Sequence, residues 1–325
     1  MTPDFKVIAD SKDVTAAIRD RLLSLSISDS AGWDSDTLEI TLDDRDGAIE
    51  VPRTGAELDV SIGYKESGLV RMGIYIVDET ELAGPPATMT IRGKAADMRK
   101  SLKAPRTRPW DETTIGDIVS TIAGEHGYEP RIDDALGGEV VEHIDQVDES
   151  DMHFLTRLAE DRGAVAKPAG RAFVFAPRGE AKSVSGMELP VVTLTREELT
   201  RYEVTQAERG KYPAVVARWY DTFRASEEQV KVGEGEPVYT ISRKYADGDA
   251  AQKAAVAQLE AFDRGLSRLT LAGPGDPALM AEATLILSGV RAGVDGEWTI
   301  TNVAHRLDNG GYQCDVEAET PGRGT

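Results

Sequence analysis

Apolar and polar residues alternate with a period of two through most of the first hundred residues, and this pattern narrows the possible folds more than any other feature of the chain. Leu23-Ser24-Leu25-Ser26-Ile27-Ser28, Thr37-Leu38-Glu39-Ile40-Thr41-Leu42 and Leu58-Asp59-Val60-Ser61-Ile62 each put every second side chain on one face. That is the geometry of a strand with one buried face, not of a helix. Turn residues punctuate the runs. Asp46-Gly47 closes one strand, and Gly84-Pro85-Pro86 separates Gly73-Ile74-Tyr75-Ile76-Val77 from Thr88-Met89-Thr90-Ile91. A β-barrel or sandwich over residues 1–100 is expected.

After Lys100 the texture changes. Ala104-Pro105-Arg106-Thr107-Arg108-Pro109-Trp110 reads as a connector, and its basic run Lys100, Lys103, Arg106 and Arg108 as a solvated linker in an acidic chain. Thr114 is placed to cap a helix whose apolar positions Ile115, Ile118, Val119, Ile122 and Ala123 recur at helical spacing, with Gly127 beyond its end. A second helix is expected after Ser150, with Phe154, Leu155, Leu158 and Ala159 as its stripe, Asp151 at the positive end of the dipole and Gly163 as its stop. With Phe173-Val174-Phe175 as a strand, residues 101–184 form a small α/β insert. Strands resume over 185–320, in Val191-Val192-Thr193-Leu194 and Ala214–Trp219. An acidic loop around Glu227–Glu236 and an Ala-rich helix, Asp249–Phe262, interrupt them over about 221–263, and 321–325 read as a flexible tail. The fold class is α+β and mainly β.

The two β regions share landmarks. Gly73-x-Tyr75-x-Val77 corresponds to Gly296-x-Trp298-x-Ile300, and Glu57–Gly63 matches Glu282–Gly289 if one insertion is allowed. A glycine at a tight bend followed by an aromatic and a β-branched residue on one face suits a duplicated strand unit. Gly73, Tyr75, Gly296 and Trp298 are therefore candidate structural residues.

At 325 residues, 40% hydrophobic and 29% charged, the chain has room for more than one packed domain. No apolar run approaches the ~20 residues that span a bilayer, and Met1–Ala9 lacks the basic and apolar parts of a signal peptide, so cytoplasmic synthesis without membrane insertion is expected. The lone cysteine, Cys314, lies in an alternating run and reads as a small core residue. A net charge of -20 argues against gripping nucleic acid, because phosphate binding is driven by Lys and Arg.

The search for chemistry finds no Gly-x-Ser-x-Gly elbow, phosphate-binding glycine loop, His-Glu-x-x-His or paired cysteines. Asp44-Arg45-Asp46-Gly47 is rejected as a calcium loop, since the first ligand position falls on Leu42 and the twelfth on Arg53, and it reads as a hairpin turn. His126, His143, His153 and His305 have no metal-ligand spacing, and Glu149 with Asp151 sit where a helix start explains them. No catalytic residue, metal site or cofactor is expected.

With these elements placed, the sequence resembles the phage late control D family, hub proteins of contractile phage tails. The carrying segments are Asp13-Val14-Thr15, Arg21-Leu22-Leu23-Ser24-Leu25, Ser35-Asp36-Thr37 through Asp46-Gly47, Gly63-Tyr64 and Gly84-Pro85-Pro86. Further on come Gln146, Glu149-Ser150-Asp151, Phe154-Leu155-x-Arg157-Leu158-Ala159 and Gly296-x-Trp298-x-Ile300-x-x-Val303-x-His305. The resemblance implies two tube-like β-barrel domains of similar topology with the α/β insert between them, and it adds His305 to the structural residues. It also implies a homotrimer forming a pseudo-sixfold ring between the hexameric tail tube protein and a spike protein, with baseplate wedge proteins around it. In such a hub DNA passes through the channel without specific binding, and a lumen richer in carboxylates than in Lys and Arg is expected. The family is similar to the hub portion of type VI secretion spike proteins. Those continue into a fused spike, so here a separate spike protein is expected. The implied place is the virion tail baseplate, assembled in the bacterial cytoplasm. Alternatives are the hub of a headless injection particle or bacteriocin and, from other classes, a cell-wall hydrolase or glycan-binding module or a transcription regulator. The last is disfavoured by the charge.

Overall fold

The structure, a computed structural model, describes residues 1–32, 36–95, 100–169, 172–178, 189–206, 212–221, 224–264 and 267–321. All but the first residue of the expected tail at 321–325 and the expected boundary at 184 lie outside the described residues. In chain order the first region carries β1 (Pro3–Ala9), β2 (Lys12–Asp13), α1 (Thr15–Ile18), β3 (Leu22–Ser30), β4 (Thr37–Asp43), β5 (Glu57–Tyr64), β6 (Gly68–Ala83) and β7 (Thr88–Ala95). There follow β8 (Pro105–Thr114), α2 (Ile115–Glu125), β9 (Glu129–Ile132), α3 (Asp134–Gly137), β10 (Val140–Ser150), α4 (Asp151–Glu160), β11 (Ala164–Ala169) and β12 (Ala172–Pro177). The last part holds β13 (Val191–Thr195), β14 (Arg201–Gln206), β15 (Ala214–Asp221), β16 (Ser226–Gly233), β17 (Val238–Tyr245), α5 (Gly248–Arg264), β18 (Ser267–Pro274), β19 (Thr284–Ser288), β20 (Gly296–Asp308) and β21 (Gly311–Glu319).

The described chain forms two compact units. The first collects β1–β7, β13, most of β14 and β18, and β19–β21 into one sheet of order β14-β18-β21-β20-β3-β4-β7-β6-β5-β1-β2, with β13 on β19 and β19 on β20. Among the described residues the ladder runs from β14 to β2 without returning on itself. Alternation sets its buried face: Leu25 and Ile27 of β3, Leu38, Ile40 and Leu42 of β4, and Leu58, Val60 and Ile62 of β5 are all buried. Each such side chain contributes about 1.5–3 kcal/mol relative to remaining exposed. The turn at Asp44–Gly47 forms, with the Gly47 N–H donating to Asp44 O at 2.9 Å, but it does not close a hairpin. The next strand, β5, pairs with β1 and β6, whereas β4 pairs with β3 and β7, so the turn only redirects the chain. Arg21 fixes it by donating from both terminal nitrogens to Asp46 at 2.6 Å.

The second unit holds β8–β12, β15–β17 and α2–α5, with ladders β10-β8, β11-β12-β9 and β16-β15-β17. Both expected helix starts are present. Thr114 Oγ1 accepts from the Asp117 N–H at 3.1 Å, and Ser150 Oγ from the His153 N–H at 3.2 Å. The second helix ends at Glu160, before Gly163, whose φ of +60 reverses the chain.

Two sequence expectations fail here. Most of Ala104–Trp110, expected as a connector with a solvated basic run, belongs to the strand Pro105–Thr114 paired with β10, in which Arg106 and Arg108 on alternate positions find carboxylates instead of water. Ser226–Gly233, expected as part of an acidic loop, is also a strand. Its carboxylates mask an alternation in which Val230 and Val232 pack with Val215, Ala217, Ala251 and Ala255 beneath α5.

Candidate functional site

The signature residues of the two β regions meet in matching ladders. In the β5–β6 ladder Leu58 stands opposite Tyr75 and Val60 opposite Gly73; in the β19–β20 ladder Leu285 stands opposite Trp298 and Leu287 opposite Gly296. The backbone bonds that open each unit also match. The Gly55 N–H donates to Val77 O at 2.7 Å and the Glu282 N–H to Ile300 O at 2.8 Å; the Val77 N–H donates to Ala56 O and the Ile300 N–H to Ala283 O, both at 3.0 Å. Gly55 and Glu282 both have left-handed backbones, with φ of +85 and +67. The ladders therefore align Glu57 with Thr284 and Glu282 with Gly55, and this correspondence needs no inserted residue. Strand order agrees as well: β3-β4-β7-β6-β5 in one set and β14-β18-β21-β20-β19 in the other.

The two sets join through β3 and β20, which run antiparallel from Asn302 opposite Ser30 to Asp308 opposite Ser24. Leu307 faces Leu25 and His305 faces Ile27 across this seam. Asn302 Nδ2 donates to Ser28 Oγ at 3.2 Å and Ser30 Oγ at 2.7 Å, and Asp29 Oδ2 accepts from the Ala281 N–H at 2.8 Å.

Tyr75 and Trp298 are buried, and the Trp298 indole N–H donates to Val294 O at 2.9 Å. His305 is fully buried, with Nδ1 2.8 Å from Tyr312 Oη and 3.2 Å from Cys314 Sγ. Burial pushes its imidazole below its ordinary range, against opposing influences from Asp29 and Asp276, and pushes the Cys314 thiol up to about 12. A neutral imidazole beside a protonated thiol is packing chemistry, because nucleophilic attack needs the thiolate.

The other signature residues converge in the second unit. Asp151 is fully buried, and its Oδ1 accepts from Arg108 Nη2 and Gln146 Nε2, each at 2.8 Å. Its Oδ2 lies 2.8 Å from His126 Nε2 and 3.4 Å from Arg106 Nε. Burial alone would raise this carboxyl, but the Gln146 and His126 hydrogen bonds and the two guanidiniums hold it below its ordinary value. Arg157 grips Glu149 through two nitrogens at 3.1 and 2.8 Å, and Arg108 stacks 4.6 Å from the Trp110 ring centre. Among the described residues Glu125, His126 and Asp151 are the group whose spacing could hold a cation. Arg106 and Arg108 already engage both carboxylates, so the arrangement is a clamp joining β8, β10, α2 and α4. Sequence reasoning had explained Asp151 by the helix dipole; the signal it lacked was the inward alternation of Arg106 and Arg108.

A family profile described as phage tail baseplate hub (GPD) matches residues 36–311. The probable baseplate hub proteins of Escherichia phages P2 and 186 are each 33% identical, over 98% of this chain and 93% of the relative. A 43 kDa tail protein of prophage MuSo2 from Shewanella oneidensis shares the fold with a TM-score of 0.74 at 15% identity, covering 98% of this chain and 99% of that one. A tail protein from Neisseria meningitidis gives 0.72 at 12% identity, over 98% and 97% of the two chains. An E. coli component of the type VI secretion system gives 0.58 at 14% identity, over 93% of this chain and 73% of the other.

Proposed function

This chain belongs to the phage tail baseplate hub family, and from that membership we propose that three copies close into a ring joining the tail tube to the central spike. It is a structural protein of the virion tail baseplate. The observation that carries the ring is the seam between β3 and β20, which joins two strand sets of equal order within one chain. Three chains then supply six similar positions, which lets a threefold object meet a sixfold tube. Gly73, Tyr75, Gly296, Trp298 and His305 serve this role by fixing strand packing, and the protein acts without catalysis.

The partners under this reading are a hexameric tail tube protein, a spike protein and wedge proteins, with DNA passing through the lumen. The net charge of -20 supports a lumen that repels phosphate, and only charges within about 8 Å of the duplex act at physiological salt. Native mass measurement at micromolar concentration, with electron micrographs of the same sample, tests the ring. Trimeric mass and a central hole are expected; a stable dimer overturns the symmetry-matching role.

A further inference from the structure

Asparagine is scarce in this chain: Asn302 and Asn309 are the only two in 325 residues. The surroundings of the two carboxamides differ. Asn302 stands in the ladder of β3 with β20, where its Nδ2 donates to Ser28 Oγ and Ser30 Oγ, and the β-branched Val303 follows it. Asn309 and Gly310 form the two-residue turn between β20 and β21. Asn309 is exposed, and its side chain has no hydrogen-bond partner among the described residues.

An asparagine followed by glycine can turn on its own backbone. Gly310 has no side chain to shield its nitrogen, so that nitrogen can approach the Asn309 carboxamide carbon and close a succinimide ring. Ring closure requires the Gly310 N–H proton to leave. That N–H donates to a carboxylate oxygen, Asp308 Oδ1, at 2.7 Å. Arg306 Nε donates to the other oxygen, Oδ2, at 3.0 Å and so holds the carboxylate in place. A base within hydrogen-bond reach of the proton it removes is what general-base catalysis needs.

We propose that Asn309 is a self-modifying site that deamidates through a succinimide, with Asp308 as the base. The Gly310 nitrogen bonds to the Asn309 carboxamide carbon while its proton passes to Asp308 and on to the leaving nitrogen. The carbon–nitrogen bond of the carboxamide breaks and ammonia departs. Water then opens the ring at either carbonyl, leaving aspartate or isoaspartate, and no oxidant, reductant or cofactor takes part. Both products add a negative charge to the turn. Isoaspartate also adds a methylene to the main chain just before Tyr312 and Cys314, which pack on the buried His305. The Asp-Gly steps at Asp46, Asp247 and Asp295 offer the same ring closure less readily. Their carboxylates accept the N–H groups of Ala48, Ala250 and Val290, and an ionised carboxylate is a poorer electrophile than a carboxamide.

Incubation of the folded chain at neutral and mildly alkaline pH, followed by proteolytic mapping and mass spectrometry, tests the site. The peptide holding Asn309 is expected to gain the mass difference between a hydroxyl and an amino group and to split into two chromatographic forms, one of them labelled by an isoaspartate methyltransferase. The peptide holding Asn302 should stay unchanged. Asn309→Gln and Gly310→Ala should lose the gain; a Cβ on Gly310 would lie 3.0 Å from Asp308 Oδ1 and crowd the approach. Asp308→Ser should slow the folded chain by about tenfold or more, since a positioned base supplies at least that, and should leave the rate of the urea-unfolded chain unchanged. A folded chain that keeps Asn309 intact while the urea-unfolded chain converts overturns the site. Conversion in the folded chain at a rate that Asp308→Ser does not alter overturns the role of Asp308.

Discussion

Leu307 of β20 stands directly opposite Leu25 of β3, both buried, so strands from opposite ends of the chain share one ladder. Leu25→Ala removes a fully buried side chain from this seam and should lower the unfolding free energy by about 2–5 kcal/mol. Ser26→Ala, on the other face, should stay within about 0.5 kcal/mol. Urea denaturation of the two variants measures the difference, and equal effects would contradict the seam.

Trp298 and Gly296 separate packing from backbone geometry. Trp298→Ala should cost about 3–5 kcal/mol through the emptied core site. Gly296→Ala should cost about 1–3 kcal/mol from backbone strain, because its φ is +130 and nothing lies within 4 Å of an added Cβ. Melting curves and ring formation report both, and an unchanged Trp298→Ala protein would remove that residue from the core.

Asp151→Asn takes the fully buried carboxylate out of the clamp while Glu125 still pairs with the partly exposed Arg106 and Arg108, so it should cost about 1–3 kcal/mol near neutral pH. The carboxyl is held below its ordinary value in the folded chain. Its contribution is therefore complete above about pH 4 and is lost as pH falls through the folded value. The gap between wild type and Asp151→Asn, followed by denaturation from neutral to acid pH, should narrow only at the acid end.

His305 has a different pH signature. Burial keeps its imidazole neutral below the ordinary value, so the unfolded chain binds a proton that the folded site refuses. Its effect on stability is absent well above about pH 6.5 and becomes destabilising as pH falls below it. Wild type should lose stability relative to His305→Gln over that range. The exposed His143 is raised by its hydrogen bonds to the accepting carboxylates of Asp111 and Asp145 and acts with opposite sign in both proteins, so the comparison cancels it.

Much of the local structure was legible because local rules decide it. Period-two alternation marked β3, β4 and β5, and Thr114 and Ser150 announced their helices because a side-chain oxygen there satisfies an N–H that the first turn leaves unpaired. Gly73-x-Tyr75 and Gly296-x-Trp298 were visible as a repeat because a bend followed by a buried aromatic constrains residue type at fixed spacing.

By itself the sequence determined which face of each strand turns inward and that two regions carry the same landmarks. Tertiary structure alone decided the partners: that β3 pairs with β20, that β4 pairs with β7 and not with β5, and that Arg106 and Arg108 face carboxylates from a strand. The physical reason is that alternation fixes a side chain's direction relative to its own backbone, while the neighbour along the hydrogen-bonding edge is chosen by packing between residues far apart in the chain. Charge misleads for the same cause: an arginine reads as solvated until the fold brings Asp151 within 2.8 Å of it.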